Sequence, residues 1–296
     1  MIDRACISIN NNCNLRCRYC HFQDKQHDFT SFSAAELIKI VDNIHVYCVK
    51  NHIDVFKLGI VGSGEPMLKK SEIISLLNHI KTMGYEELKL YTITNGTLIS
   101  KEDLKLFYSY KDIINLCFSL DGYEKIHNYG RNKFETVMQR IGWYKEIFGV
   151  APSINATVNL LSYLNKEKLI TFFKENGLNN VTFSKLVGYF DKDLYITDDQ
   201  YEEYMEFVRE SGLISRQFSN KKKYDCTMYG KLCGVGRTNI FITPEGVYPC
   251  GRFYKDNRFL LGSYDDEISE IEKKVNLMNP VEDGKCYYIE NVEVRK

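Results

Sequence analysis

Six short apolar runs alternate with six amphipathic helical patterns between residues 5 and 209 of this 296-residue chain, and that alternation restricts the fold more than any other feature. A helix after every strand returns the chain to the same end of the sheet, so the strands must run parallel. The runs at 5–9, 55–61, 88–93, 113–120, 154–160 and 181–187 are rich in β-branched residues and nearly continuously apolar, as strands covered on both faces are. Between them the spacing of apolar residues predicts helices. Leu37, Ile38, Val41 and Ile44 mark the first, with Ser33 and Glu36 at the offset of a capping box. Ile73, Leu76, Leu77 and Ile80 mark the second, and Val137, Ile141, Tyr144 and Ile147 the fourth. Six such units make either an open doubly wound sheet or a partial barrel. In both, the loops that follow the strands carry the chemistry.

The alternation breaks near Gly212, and short strands and turns follow to Lys296. The expected organisation is α/β, a partial (β/α)6 TIM-type barrel over residues 1–211, with a small C-terminal part at 212–296 that contains a β-hairpin. Ile240-Phe241-Ile242 and Val247-Tyr248 flank Pro244-Glu245-Gly246, which is the hairpin signal.

The loop after the first strand reads Cys13-Asn14-Leu15-Arg16-Cys17-Arg18-Tyr19-Cys20, a C-x3-C-x2-C arrangement. Three thiolates on one tight loop suit three irons of a [4Fe–4S] cluster, which normally takes four such ligands, so one coordination site would stay open. A structural zinc site is the competing reading. Cys17 and Cys20 form a C-x2-C pair with His21 adjacent, but no matching second pair is obvious. Three unrelated buried cysteines are a further alternative.

The chain has ten cysteines and no secretory segment, and no stretch reaches the ~18 apolar residues of a membrane span. The cysteines therefore read as ligands, reactive thiols and core residues in a reducing cytoplasm. Lys+Arg and Asp+Glu are both 39, so no bulk basic field favours nucleic acid.

The cysteine loop, with Tyr19 before its last ligand, resembles that of the radical S-adenosylmethionine (SAM) superfamily. There the open iron chelates the amine and carboxylate of SAM. The resemblance continues at the ends of later strands. Gly62-Ser63-Gly64-Glu65-Pro66 is similar to the family's G-G-E segment, which implies that Gly64 and Glu65 meet the SAM ammonium; Ser63 departs from the usual glycine. Thr94-Asn95-Gly96 is similar to the T-N-G segment near the SAM pocket, although Asn95 can instead be read as a cap for the next helix. Ser119-Leu120-Asp121-Gly122 with His127 and Arg131 resembles the S-L-D-G…H…R stretch of members with a SPASM or twitch auxiliary domain. This implies SAM contacts from Ser119, Asp121 and Arg131, with His127 either a contact or a packed side chain. Thr157 is expected to line the site, and Tyr19 to adjoin it.

In such members a C-terminal hairpin holds a second cluster, which implies Cys233, Cys250 and Cys286 as ligands of an auxiliary Fe–S cluster. The later cysteines of a full SPASM domain are missing. Cys226 is either a fourth ligand or a free thiol able to return a hydrogen to a substrate radical, the role of a catalytic residue in an epimerase. Cys6, Cys48 and Cys117 read as core.

The resemblance implies an enzyme. A reductase such as flavodoxin or ferredoxin would reduce the cluster, SAM would be cleaved to a 5′-deoxyadenosyl radical, and that radical would take a substrate hydrogen. The expected substrate is a ribosomally made precursor peptide, modified by cross-linking, epimerisation or oxidation. The chain starts directly at the first strand, without the leader-binding domain that many peptide maturases carry. That favours a small-molecule dehydrogenase or epimerase, acting on an aminocyclitol or sugar, as the alternative. A non-catalytic zinc- or cluster-stabilised binding protein is the third expectation.

Overall fold

The structure, a computed structural model, describes residues 1–20, 22, 29–186, 192–213, 235, 238–277, 281–282 and 285–286. Cys226 and Cys233 lie outside the described residues, and of Cys286 only the backbone is described.

Six parallel strands form in chain order. They are β1 (Arg4–Ile7), β2 (Phe56–Ile60), β3 (Leu88–Thr94), β4 (Ile114–Ser119), β5 (Ser153–Val158) and β6 (Val181–Lys185). Each lies beside its predecessor, in the spatial order β6-β5-β4-β3-β2-β1. A strand order that never reverses, with right-handed crossovers, puts every connecting helix on one face. This distinguishes the partial barrel from a doubly wound sheet, whose order reverses at a switch point.

The helices follow from their apolar stripes and caps. α1 (Ala34–Asn51) starts at Ser33 with the expected capping box to Glu36, and its last turn closes on His52 in the left-handed region at φ 54°. α2 (Lys70–Met83) ends on Gly84, also left-handed, at φ 68°. α3 (Lys101–Tyr108) has its own capping box from Ser100 and Asp103, so Asn95 does not cap it. The segment between β4 and β5 holds two helices, α4 (Glu124–Gly130) and α5 (Phe134–Phe148). α4 carries His127 and delivers Arg131 at its end. α6 (Leu160–Leu164) and α7 (Lys166–Glu175) follow β5, and α8 (Asp198–Glu210) follows β6.

The outer face of the sheet and the inner faces of these helices make one core. Ala5, Leu58, Leu90, Leu116, Ile154 and Phe183 meet Val41, Leu77, Phe107, Ile141 and Phe173 there, all at most 4% exposed. The opposite face of the sheet is more polar. Cys6, Gly59 and Tyr91 are neighbours in register on it. The Tyr91 hydroxyl lies 3.5 Å from the Cys6 sulfur, and a Cβ on Gly59 would sit 2.6 Å from the tyrosine ring. A glycine on β2 is therefore what lets that ring cross the strand.

The C-terminal hairpin forms as expected, from β7 (Asn239–Thr243) and β8 (Gly246–Tyr248). β7 pairs in parallel with β1, so a single eight-stranded sheet runs across the expected boundary at residue 211. α9 (Ile268–Leu277) is tied to α1 by side-chain bonds. The Tyr47 hydroxyl donates to Glu272 at 2.8 Å and that of Tyr264 donates to Glu36 at 2.8 Å. β9 (Val281–Glu282) and β10 (Lys285–Cys286) form a separate antiparallel pair. No helix among the described residues is long and apolar enough to cross a membrane.

Two fully buried tyrosines on α8 give a paired test of this packing. The Tyr201 hydroxyl donates to the Phe183 carbonyl at 2.6 Å, whereas the Tyr204 hydroxyl has no partner among the described residues. A buried hydrogen bond contributes about 1 kcal/mol, and an orphaned hydroxyl costs a similar amount in lost hydration. Urea unfolding should show Tyr201→Phe destabilised by about 1 kcal/mol. Tyr204→Phe should be unchanged or up to ~1 kcal/mol more stable. Equal losses in both would contradict this hydrogen bonding.

Candidate active site

Cys13, Cys17, Cys20, Glu65, Asn95, Ser119, Asp121 and Thr157 lie at or just beyond the C-terminal ends of β1 to β5, the end at which parallel-sheet enzymes place their chemistry. The cysteine loop is seated first. Its stem, residues 8–12, packs directly on the segment after β2. Ser63 Oγ lies 3.0 Å from Ser8 Oγ, and the Ser63 amide donates to the same hydroxyl at 3.0 Å. A Cβ on Gly62 would fall 2.6 Å from Ser8 Cα, and one on Gly64 would fall 2.6 Å from the Asn10 carbonyl oxygen. The glycines are thus required by backbone-to-backbone approach, and Ser63 stands in the triplet because it bonds Ser8. Asn10 completes the seat: its Nδ2 donates to the Glu65 carbonyl at 2.9 Å, and its Oδ1 accepts the Asn12 amide at 2.8 Å.

Glu65 is 3% exposed. Its Oε1 accepts from Thr94 Oγ1 at 2.5 Å and the Met67 amide at 3.0 Å, and its Oε2 accepts the Asn95 amide at 2.8 Å. The carboxylate therefore braces the end of β2 to the end of β3. Burial pushes its pKa up, against the pull of those three donors. A carboxylate offers about four acceptor sites, so one stays open on Oε2 for a cation. Asn95 bridges the T-N-G turn to the cysteine loop: Nδ2 donates to Asn14 Oδ1 at 2.9 Å, and Oδ1 accepts from the Thr97 amide at 2.9 Å.

Asp121 is the other centre of the site, with a side chain fully withdrawn from solvent. The Tyr19 hydroxyl donates to its Oδ2. Arg131 Nε donates to both oxygens at 3.1 Å, and the Thr157 amide donates to Oδ1 at 2.9 Å. Arg131 Nη2 also reaches Thr157 Oγ1 at 3.3 Å, and its guanidinium lies 5.3 Å from the centroid of the Tyr19 ring. Burial is the largest single effect on Arg131 and works against its charge, but the attraction of Asp121, with Tyr19 and Cys17 adding to it, outweighs burial and raises its pKa. Gly130 is fixed by the same contact, since a Cβ there would lie 2.5 Å from the Tyr19 ring. His127 is a packed residue. Its Nδ1 accepts the Asp121 amide at 3.3 Å and its Nε2 lies 3.1 Å from the Asn132 carbonyl, which fits the neutral Nε2–H tautomer.

The thiols of Cys13, Cys17 and Cys20 are all free and sit on one loop, Cys17 buried and the other two partly buried. Burial pushes the Cys17 thiol up to about 11, with Arg131 pulling it down and Asp121 and the other two cysteines adding to the rise. Among the described residues no three His, Cys, Asp or Glu side chains converge as ligands of a single metal ion. A cluster instead takes its thiolates on separate irons. The donor set fits such a group with SAM beside it. Three thiols share one loop, and the Ser119 hydroxyl and Arg131 Nη1 have no hydrogen-bond partner among the described residues. Asn159, 0% exposed, uses Oδ1 to cap α6 at Ser162 and leaves Nδ2 without a partner among the described residues.

Of the C-terminal cysteines only Cys250 is placed with its side chain, just after β8 and partly buried. The hairpin aromatics Phe241, Tyr248 and Tyr254 pack with Phe22 and Cys20, so the hairpin adjoins the cysteine loop. Sequence reasoning missed Ser8 and Asn10, and it placed Thr94 in the T-N-G-like segment without its bond to Glu65. The available signal was the polar run Ser8, Asn10, Asn11, Asn12 interrupting the end of an apolar strand.

A family model described as the radical SAM superfamily matches residues 7–175. The GTP 3',8-cyclase of Staphylococcus carnosus (strain TM300) is 29% identical over 219 residues, 70% of this chain and 55% of that protein. The chain thus spans about half the length of the curated relatives it matches. Among solved structures, native anSMEcpe with bound AdoMet and Cp18Cys peptide superposes with a TM-score of 0.73 at 21% identity, over 90% of this chain and 79% of that one. Streptococcus suis SuiB bound to precursor peptide SuiA gives a TM-score of 0.70 at 18% identity, over 92% and 64%. These two are likenesses of fold.

Burial lowers the His127 pKa to about 4, against an unfolded value near 6.5. The folded protein therefore binds fewer protons than the unfolded chain between these values, and its stability falls as pH drops through that window. The loss from this group between pH 7 and pH 5 should be about 2 kcal/mol. Urea unfolding at the two pH values measures it, and His127→Gln should remove that share of the loss.

Proposed function

The chain belongs to the radical SAM superfamily, and from that premise we propose that it binds a [4Fe–4S] cluster and SAM and modifies a ribosomally made peptide. The observation that carries the chemistry is the convergence of the Cys13/Cys17/Cys20 loop with Glu65, Ser119 and Arg131 at the ends of β1, β2 and β4. When bound and reduced by a flavodoxin- or ferredoxin-type partner, the cluster supplies the electron that cleaves the SAM sulfonium and makes a hydrogen-abstracting nucleoside radical.

The protein's own residues hold and orient. The open acceptor site on Glu65 Oε2 suits the SAM ammonium. Arg131, charged and clamped by Asp121, would hold the SAM carboxylate through Nη1, and Ser119 would add a hydroxyl. A fixed donor set costs no reorganisation when the reactants arrive. Thr157 is held by both Asp121 and Arg131, on the strand that would pass beneath the adenosyl group. The C-terminal part, 212–296, is assigned to a twitch-like auxiliary cluster with Cys250 among its ligands. The peptide reading is supported by the two peptide-bound chains, whose likeness extends over nine tenths of this one. The similarity to GTP 3',8-cyclases favours a second reading, a small polar substrate.

The test is anaerobic reconstitution followed by SAM and dithionite. 5′-Deoxyadenosine should form, and Cys17→Ala should abolish it. Ser119→Ala should raise the KM for SAM about tenfold, as expected for one lost hydrogen bond of ~1.4 kcal/mol. Deuterated candidate peptides and deuterated GTP then decide the substrate, since only the true one passes its label to the nucleoside. An intact cluster that yields no nucleoside in any of these would leave a binding protein as the better account.

A further inference from the structure

We propose that Arg18, Tyr129, Asp193 and Leu194 form a latch that fastens the turn Lys192–Leu194 to the cysteine loop, with Asp193 and Tyr129 as positioning residues for that loop. The latch is a property of the chain, and its effect on a cluster rests on the functional reading above.

A closed eight-stranded barrel fixes its mouth by an unbroken ladder. Here β6 ends the sheet, so among the described residues no strand pairing ties that side of the mouth to β1. Side chains supply the tie. Arg18 lies between two of the proposed ligands, Cys17 and Cys20. Its Nη2 donates to both oxygens of Asp193, at 3.1 and 3.3 Å. Its guanidinium carbon lies 4.4 Å from the centroid of the Tyr129 ring, and the Tyr129 hydroxyl donates to Asp193 Oδ2, which closes a three-membered contact. The Arg18 amide donates to the Gly130 carbonyl at 2.9 Å, so main chain and side chain are both held at the end of α4.

The neighbouring residue adds an apolar anchor. Leu194 is 0% exposed and packs with Cys17, Tyr19 and Leu186. An exposed ion pair alone contributes little. This one shares its carboxylate with a tyrosine, stacks its guanidinium, and is followed directly by a buried leucine. Asp193 itself is half exposed, in a single 3-10 turn (Lys192–Leu194). Two consequences follow. The apolar side of the loop is covered, and the charge of Arg18, set between two ligands, is offset by Asp193.

The test begins with the metal-free full-length protein. Hydrogen exchange over residues 13–20 should quicken roughly three- to fivefold in Arg18→Gln and in Asp193→Asn, with no further gain in the double variant. Unchanged exchange in Asp193→Asn, or effects that multiply in the double variant, would overturn the latch. Tyr129→Phe, which keeps the ring and removes the donor, should give a smaller increase. In cluster-loaded protein Asp193→Asn should shift the reduction midpoint to less negative values, because one negative charge beside the cysteine loop is then removed. A midpoint equal to wild type would overturn the electrostatic role. A wild-type protein that takes up no iron and sulfide would defeat the functional reading instead, and the metal-free exchange would still decide the latch.

Discussion

A single buried carboxylate holds the candidate site together. Asp121 accepts hydrogen bonds from the Tyr19 hydroxyl, Arg131 Nε and the Thr157 amide, and so joins the cysteine loop, the end of α4 and the end of β5. A buried ion pair is weak evidence for net stability, because desolvation offsets its attraction. Its effect here is geometric. Each of the three donors comes from a different crossover unit, and none can move without leaving the carboxylate short of a partner. Arg131 is thereby fixed and kept charged, with Nη1 left without a hydrogen-bond partner among the described residues.

Glu65 does the corresponding work on the other side of the cysteine loop. Two buried carboxylates thus flank one loop, yet they differ in what they retain. Asp121 is paired directly with a cation within the protein, whereas the hydrogen bonds to Glu65 among the described residues come from the neutral donors of Thr94, Met67 and Asn95. Burial accordingly raises the Glu65 pKa, which makes a bound cation favourable beside it. This asymmetry orders the site into an end that prefers positive charge and an end that prefers negative charge. A zwitterion with ammonium and carboxylate termini fits that polarity.

Much of this was legible in the sequence because period and spacing are local properties. The six strands, the Ser33–Glu36 capping box and the hairpin around Pro244-Glu245 all follow from short-range rules. The residues at the strand ends were legible as a set, but their contacts were not. Gly64 reads as room for a ligand, while the structure shows it required by the approach of Asn10 and Asn12. Asn95 reads as a helix cap or a pocket residue, while its side chain bridges to Asn14. The helix α4 was missed because its stripe is barely two turns long, too short for a period to show. Arg18 carries no signal at all, since its partner lies 175 residues away.

The placement of β1 explains why the cysteine loop can be held so closely. Without the hairpin, β1 would be an edge strand, with one row of backbone groups unpaired. β7 pairs along its full length, from Arg4 with Asn239 to Ile7 with Ile242, and the Ser8 amide continues the ladder to the Ile242 carbonyl at 2.9 Å. The strand that carries the loop is therefore bonded on both sides up to the residue that packs against Ser63. A site built on such a doubly supported strand keeps its geometry better than one on a free edge. The C-terminal segment thus contributes to the site through backbone pairing with β1, whatever further groups its cysteines hold.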